Sequence, residues 1–236
     1  MSLASQLIAT KSAVRDALPP HTFSAIERSI EEVRESGLAI RAAGVGDLVA
    51  LPVLESVEGK PVDLHEIAAD RPVVLVFYRG GWCPYCNTTL RAYADASRRI
   101  EAAGGVLIAV TPEQPGSARE TVESNDLRIL VAVDAGNRFA KTLGLVAAQP
   151  EELRPLFLEI GIDLPARNGD DSHELPLPAT YVLSREGLVT FAHVDPDFTR
   201  RADPEDALAA LERLEAGSVD RRKLPAGSAE GRPGDL

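Results

Sequence analysis

The chain has 236 residues, 44% of them hydrophobic and 26% charged, enough to bury a full core without disulfide staples. Thirty-six acidic against 25 basic residues give a net charge of −11, and 21 of the basic residues are Arg, a bias read as compositional. That balance argues against a nucleic-acid surface, which needs clustered positive charge. Two cysteines cannot make a disulfide framework. The longest apolar runs, such as Val73 to Tyr78, fall far short of the roughly 20 residues that span a bilayer. The start, MSLASQLIATKSAVRD, lacks the basic and apolar regions of a secretory signal. The expectation is a cytoplasmic protein, with no membrane partner and with its thiols kept reduced.

Leu3, Leu7, Val14 and Leu18 recur at helical spacing and Pro19-Pro20 ends that helix. Phe23, Ile26, Ile30 and Val33 mark a second helix that stops at Gly37. Residues 1–42 are therefore predicted as a helical extension that packs on the main domain or on a partner copy in a homodimer; a role in handling substrate is the alternative. Residues 43–216 are predicted as one domain, and the Gly-, Pro- and charge-rich stretch 217–236 as a flexible tail.

From Val45 short apolar runs alternate with helices. Pro72 to Tyr78 reads as a buried strand; 86–103 as a helix with Leu90, Tyr93 and Ile100 inward, ending at Gly104-Gly105. Gly105 to Thr111 is a strand, 117–125 a short helix, Ile129 to Asp134 a strand and Asn137 to Leu143 a short helix. This order predicts an α/β domain with parallel strands at its centre. Residues 146–175 break the rhythm, with a helix over 151–160 and a polar loop, and are expected to insert over one edge of the sheet. Ala179 to Ser184 and Leu188 to His193 form a hairpin about Arg185-Glu-Gly187. A last helix over 204–215 is capped by Asp203, with Pro204 in its first turn.

The chemistry concentrates in Gly80-Gly-Trp-Cys-Pro-Tyr-Cys86, which holds both cysteines. A Cys-x-x-Cys that follows a buried strand and opens a helix is informative because of that context. Thiols there meet unpaired N–H groups and the positive end of the helix dipole, which favour thiolate and can lower a cysteine pKa from near 8.5 to roughly 3.5–7.5. The spacing lets both sulfurs bond within one turn. Zinc wants four ligands, and the four histidines show no ligand spacing, so neither a metal nor an organic cofactor is expected. Phe77 reads as core; Tyr78, Trp82 and Tyr85 as walls of an active-site surface. His193, Asp195 and Asp197 read as a capped turn with Arg200 and Arg201 as surface partners.

Strand, Trp-Cys-x-x-Cys, helix and a late Pro-Ala-Thr before a hairpin resemble a thioredoxin fold. Within it, Val74 to Cys86, Val131 to Asn137 and His193 to Arg201 resemble the peroxiredoxin-like branch of the alkyl hydroperoxide reductase / thiol-specific antioxidant family, over about residues 44–215. The resemblance implies a three-layer α/β/α domain with a central mixed sheet and the N-terminal helical extension. Peroxiredoxins carry Pro-x-x-x-Thr-x-x-Cys; aligned without gaps, the attacking cysteine is Cys86, the Thr position holds Cys83 and the Pro position Arg79. The family's Arg before the late strand is matched by Pro178, which thioredoxins keep as a cis proline facing the cysteines. Two mechanisms follow. Either Cys86 attacks a hydroperoxide and Cys83 closes a disulfide with it, Arg79 standing in for the missing cation, or an exposed Cys83 attacks a substrate disulfide and Cys86 resolves it. A thioredoxin- or glutathione-type thiol would be the electron donor. A third reading is a redox sensor whose pair switches an interface without turnover.

Overall fold

A computed structural model describes residues 2–216. The expected tail at 217–236 lies outside the described residues. Helices α1 (Leu3–Ala17), α2 (Pro20–Glu35) and the short α3 (Leu38–Arg41) come first. Ser2 caps α1 through its side chain, and Gly37 turns the chain at φ 66° between α2 and α3. Next come β1 (Val53–Ser56), β2 (Pro61–Asp63) and α4 (Leu64–Asp70), which the periodicity between Val45 and Arg71 does not separate. The centre is β3 (Val73–Phe77), α5 (Pro84–Ala102), β4 (Val106–Thr111), α6 (Pro115–Ser124), β5 (Leu130–Val133) and α7 (Arg138–Thr142). Then follow β6 (Val146–Ala148), α8 (Leu153–Glu159), α9 (Leu164–Asn168), β7 (Glu174–Pro176), β8 (Ala179–Leu183), β9 (Val189–Val194) and α10 (Pro204–Ala216).

Seven strands form one mixed sheet in the order β2-β1-β5-β4-β3-β8-β9. β3, β4 and β5 are parallel, and β8 runs antiparallel to β3 in a register that sets Leu75 opposite Tyr181. Alternation along β3 builds two cores. Val73, Leu75 and Phe77 join Ile108, Phe139, Tyr181 and Leu183 on the face covered by α4 and α7. Val74 and Val76 join Tyr93, Ile100 and Leu211 on the face covered by α5 and α10. This is the three-layer α/β/α arrangement, and burial on both faces explains why β3 reads as an unbroken apolar run.

Leu3 and Leu7 of α1 are buried with Leu90 of α5, so α1 lies on the domain itself. Residues 146–175 do not cover a sheet edge. β6 and β7 pair with each other, and α8 packs its Leu153 and Phe157 on Ala25 of α2 and beside Trp82. Gln114, which follows β4, binds the carbonyls of Arg167 and Ala166, so the insertion is tied to the carboxyl ends of the central strands. There it can bury its apolar side against α2 and the cysteine loop. Among the described residues no helix is long and apolar enough to cross a membrane.

Candidate active site

β3 delivers Tyr78 and Arg79 to its carboxyl end, and α5 begins five residues later. Gly80 makes the turn between them. Its φ is +147°, and a Cβ there would lie 2.3 Å from Trp82 Nε1 and 2.8 Å from Glu113 Oε1, so only glycine fits. Cys83 is the N-cap residue of α5, Pro84 starts the helix and Cys86 sits in its first turn. Both thiols are free, and they are 2% and 1% exposed. The exposed Cys83 of the exchange mechanism is thus corrected: it is buried in a cluster with Leu3 and Leu7 of α1 and Tyr85.

The two thiols differ in their surroundings. Arg201 Nη2 donates to Cys86 Sγ at 3.7 Å. Burial pushes the Cys86 thiol up, but the Cys83 hydrogen bond, the Arg201 charge and the Arg79 backbone N–H and guanidinium together bring it down to about 5. Cys83 goes the other way: burial, then its hydrogen bond and the charge of the Cys86 thiolate, hold it well above its ordinary value. The helix terminus does not activate both cysteines, as their position alone suggests. One thiolate takes the positive charges and the other sulfur donates to it.

Arg79 is 5% exposed, with its guanidinium 5.0 Å from the Trp82 ring centre and 4.2 Å from that of Phe198. One Nη donates to Gln149 Oε1 at 3.3 Å. Burial lowers its pKa and the two cysteines raise it, so it faces the pair as a caged cation. Arg201, read from the sequence as a surface partner, is the second cation and lies directly on Cys86. Arg200 does pair with Asp195, at 3.7 Å, and Asp195 and Asp197 cap the turn as expected. That turn aims Arg201 at the thiol. No local sequence signal marks it, because the contact joins residues 115 positions apart.

A cavity of about 350 Å³ opens over Cys83 and Arg79, walled by Ile26, Trp82, Tyr85, Phe157, Ile162 and Phe198. Val14 of α1, Phe23 of α2 and Leu18 between the two helices also line it. Tyr85 packs edge-on against Phe198 at 5.7 Å, and Trp82 lies tilted against Phe157 at 5.8 Å. Tyr78 is corrected: it is buried and does not line this cavity, because β3 carries it beneath the loop.

Pro178 is also corrected. The described residues contain no cis peptide bond, and Pro178 borders a separate groove with Arg79 and Gln149. The β6–β7 pairing and the bond from Leu177 N–H to Leu145 O, 2.7 Å, carry the chain extended into β8. A buried carboxyl unmarked by the sequence reading, Glu113, lies under the loop. Its Oε2 accepts the Gly81 N–H at 3.0 Å, and burial pushes it up to about 7. Its only sequence cue is the loop position after a buried strand. Among the described residues no cluster of His, Cys, Asp or Glu could hold a metal ion.

The profile of the AhpC/TSA family matches residues 45–192. Chloroplastic peroxiredoxin Q from Populus jackii is 24% identical over 161 residues, 68% of this chain and 64% of that protein. The chain thus spans just under two thirds of that relative's length. Reduced Prx3 from Vibrio vulnificus, solved with hydrogen peroxide, superposes with a TM-score of 0.57 at 20% identity, covering 72% of this chain and 99% of that one. The Xanthomonas campestris bacterioferritin comigratory protein does so with a TM-score of 0.53 at 16% identity, covering 72% and 98%. With these likenesses and the Cys83–Cys86 loop at the end of β3, the chain belongs to the AhpC/TSA family.

Proposed function

We propose that this chain is a thiol peroxidase that reduces hydroperoxides through a Cys86 thiolate, with Cys83 closing the disulfide. The observation that carries the reading is the split between the two sulfurs: Cys86 takes Arg201 at 3.7 Å and is lowered to about 5, while Cys83 stays protonated. At neutral pH the pair is then one nucleophile and one resolving thiol. Cys86 thiolate attacks the distal peroxide oxygen; the O–O bond breaks, leaving Cys86 sulfenic acid and an alkoxide that is protonated to the alcohol. Cys83 attacks the sulfenic sulfur, water leaves and the disulfide forms. An external thiol donor of thioredoxin or glutathione type reduces it.

The apolar cavity favours an organic hydroperoxide. It touches Cys83 and Arg79, both of which interact with Cys86, and so forms the route to the reacting sulfur. The Xanthomonas campestris neighbour is described with alkyl peroxide reduction activity, which supports this substrate class. We place the cycle in a reducing, cytoplasmic compartment, to be checked by cell fractionation.

The test is stopped-flow mixing of reduced protein with hydrogen peroxide and cumene hydroperoxide, followed by the fluorescence of Trp82, the sole tryptophan. The reading expects a rate far above that of free cysteine, lost in Cys86→Ser and kept for one turnover in Cys83→Ser. One observation favours a second reading, disulfide exchange: Cys83 rather than Cys86 lines the cavity. A peroxide rate no better than free cysteine, with fast disulfide exchange lost in Cys83→Ser, would decide for it.

A further inference from the structure

Under the cysteine loop one carboxyl has no part in the steps above. Glu113 is 0% exposed. Its Oε2 accepts the Gly81 N–H at 3.0 Å and the Thr121 hydroxyl at 3.3 Å. Its Oε1 is buried with no hydrogen-bond donor among the described residues, and the nearest cation is Arg167 Nη1 at 3.7 Å, from α9. That oxygen borders Gly80, where a Cβ would come within 2.8 Å of it. The Gly81 peptide is gripped from its other side too, since Asn87, next to Cys86 in the chain, donates to Gly81 O at 2.8 Å. Buried carboxylates are normally fully paired. This one is half-paired and fastened to the loop that carries both thiols.

We propose that Glu113 is a positioning residue for the cysteine loop that also holds the proton exchanged between the reduced and oxidised states of the pair. The inference rests on the Cys86–Cys83 reading. Three ionisable groups face the carboxyl: Cys86 from α5, Tyr78 at the end of β3 and Arg167 from α9. Tyr78 stays neutral, because burial and then the Glu113 charge hold its phenol well above its ordinary value. In the reduced protein burial is the main force keeping Glu113 protonated, and the Cys86 thiolate adds to it against Gly81, Arg167 and Thr121.

The proton balance follows. Cys86 thiolate and ROOH give Cys86 sulfenic acid and RO⁻, which needs one proton to leave as ROH. The sulfenic acid and the Cys83 thiol give disulfide and water with no further proton. Going from thiolate to disulfide therefore consumes one proton. It also removes the negative charge that opposes ionisation of Glu113 beside Arg167, so Glu113 gives up its proton. When two external thiols reduce the disulfide, the products are Cys83 thiol, Cys86 thiolate, an external disulfide and one leftover proton, which Glu113 takes back.

The experiment counts protons. Full-length wild type and Glu113→Gln are oxidised stoichiometrically at pH 6 in weak buffer with an indicator dye, and thiol loss is titrated in parallel. One arm uses hydrogen peroxide. The other uses diamide, which accepts two electrons and two protons and so demands the same net uptake. Glu113→Gln is expected to take up one proton per disulfide and wild type less than half as much. Equal uptake in both overturns the inference; a purely structural Glu113 would leave the count unchanged. If diamide forms the disulfide and peroxide does not, the peroxidase reading fails and the diamide arm still decides about Glu113. If neither does, both fail. Should Glu113→Gln not fold, Arg167→Gln removes the cation that favours the carboxylate and is expected to move uptake toward one proton, and wild-type uptake there overturns the inference.

Discussion

Above the cysteine loop lie Ile26, Phe157 and Ile162, carried by α2, α8 and the segment after it; below it lie Glu113, Thr121 and Arg167. The upper side is apolar and forms a cavity, and the lower side is polar and closed. Gly80 and Gly81 are the seam, because a Cβ at 80 would meet Trp82 from above and Glu113 from below, and a Cβ at 81 would come within 2.0 Å of the Thr121 hydroxyl. The difference teaches that one loop can divide two tasks. On the proposed reading the apolar side would admit the substrate, and the polar side would handle charge in a low dielectric where each group weighs heavily.

The largest effect that would break this comparison is loss of the proposed nucleophile: Cys86→Ser is expected to lower the peroxide rate by several orders of magnitude while Cys83→Ser retains the first turnover, read by stopped flow. Gly80→Ala attacks the seam. With φ at +147° and contacts of 2.3 and 2.8 Å to relieve, it is expected to cost about 3 kcal/mol in urea denaturation and to disturb both sides at once. Arg201→Gln keeps the shape and removes the charge on Cys86. Thiolate absorbance at 240 nm is expected to titrate about 1–2 pH units higher, within the range for an opposite charge in contact. An unmoved midpoint would assign the stabilisation of the Cys86 thiolate to the Cys83 hydrogen bond and Arg79 alone.

Finer changes sharpen the contrast. Ile26→Asp places a charge in the upper wall and is expected to lower kcat/KM for cumene hydroperoxide by about tenfold, around 1.4 kcal/mol, and for hydrogen peroxide by less. On the lower side Glu113 sets a pH dependence of stability. Its pKa, about 7, lies above the roughly 4.3 of an unfolded glutamate, so the native state binds its proton more tightly. That contribution is whole below about pH 4.3 and is lost as pH rises through 7. Cys86 contributes with the opposite sign but is present in both proteins. The Tm of reduced wild type is therefore expected to fall by a few degrees more than that of Glu113→Gln between pH 5 and 8, by calorimetry.

Much of the frame is local. The apolar run at 73–77, the Gly104-Gly105 stop and the hairpin about Gly187 each impose their element through burial or a turn, and they stand within a residue or two of where the sequence sets them. The cysteine loop is equally local: strand, two glycines, Trp-Cys, then Pro at the first turn of a helix. What neighbouring residues can decide, the sequence decides. It does not reveal β1, β2 and α4, whose runs are too short to show a period, nor that residues 146–175 fold over the strand ends.

By itself, then, the sequence determined the α/β fold, the Cys-x-x-Cys loop and the place where it sits. The tertiary structure decided what each sulfur is. Cys83 and Cys86 share one loop and one helix end, but Arg201 arrives from 115 residues away to lower one of them, and burial under α1, α2 and α8 raises the other. Pro178 and Arg79 show the same limit: the first borders a separate groove with no cis bond, and the second, a cation in any setting, is held facing the pair by Trp82, Phe198 and Gln149. Charge and solvation act through space, so an ionisable group takes its character from whichever segments fold against it.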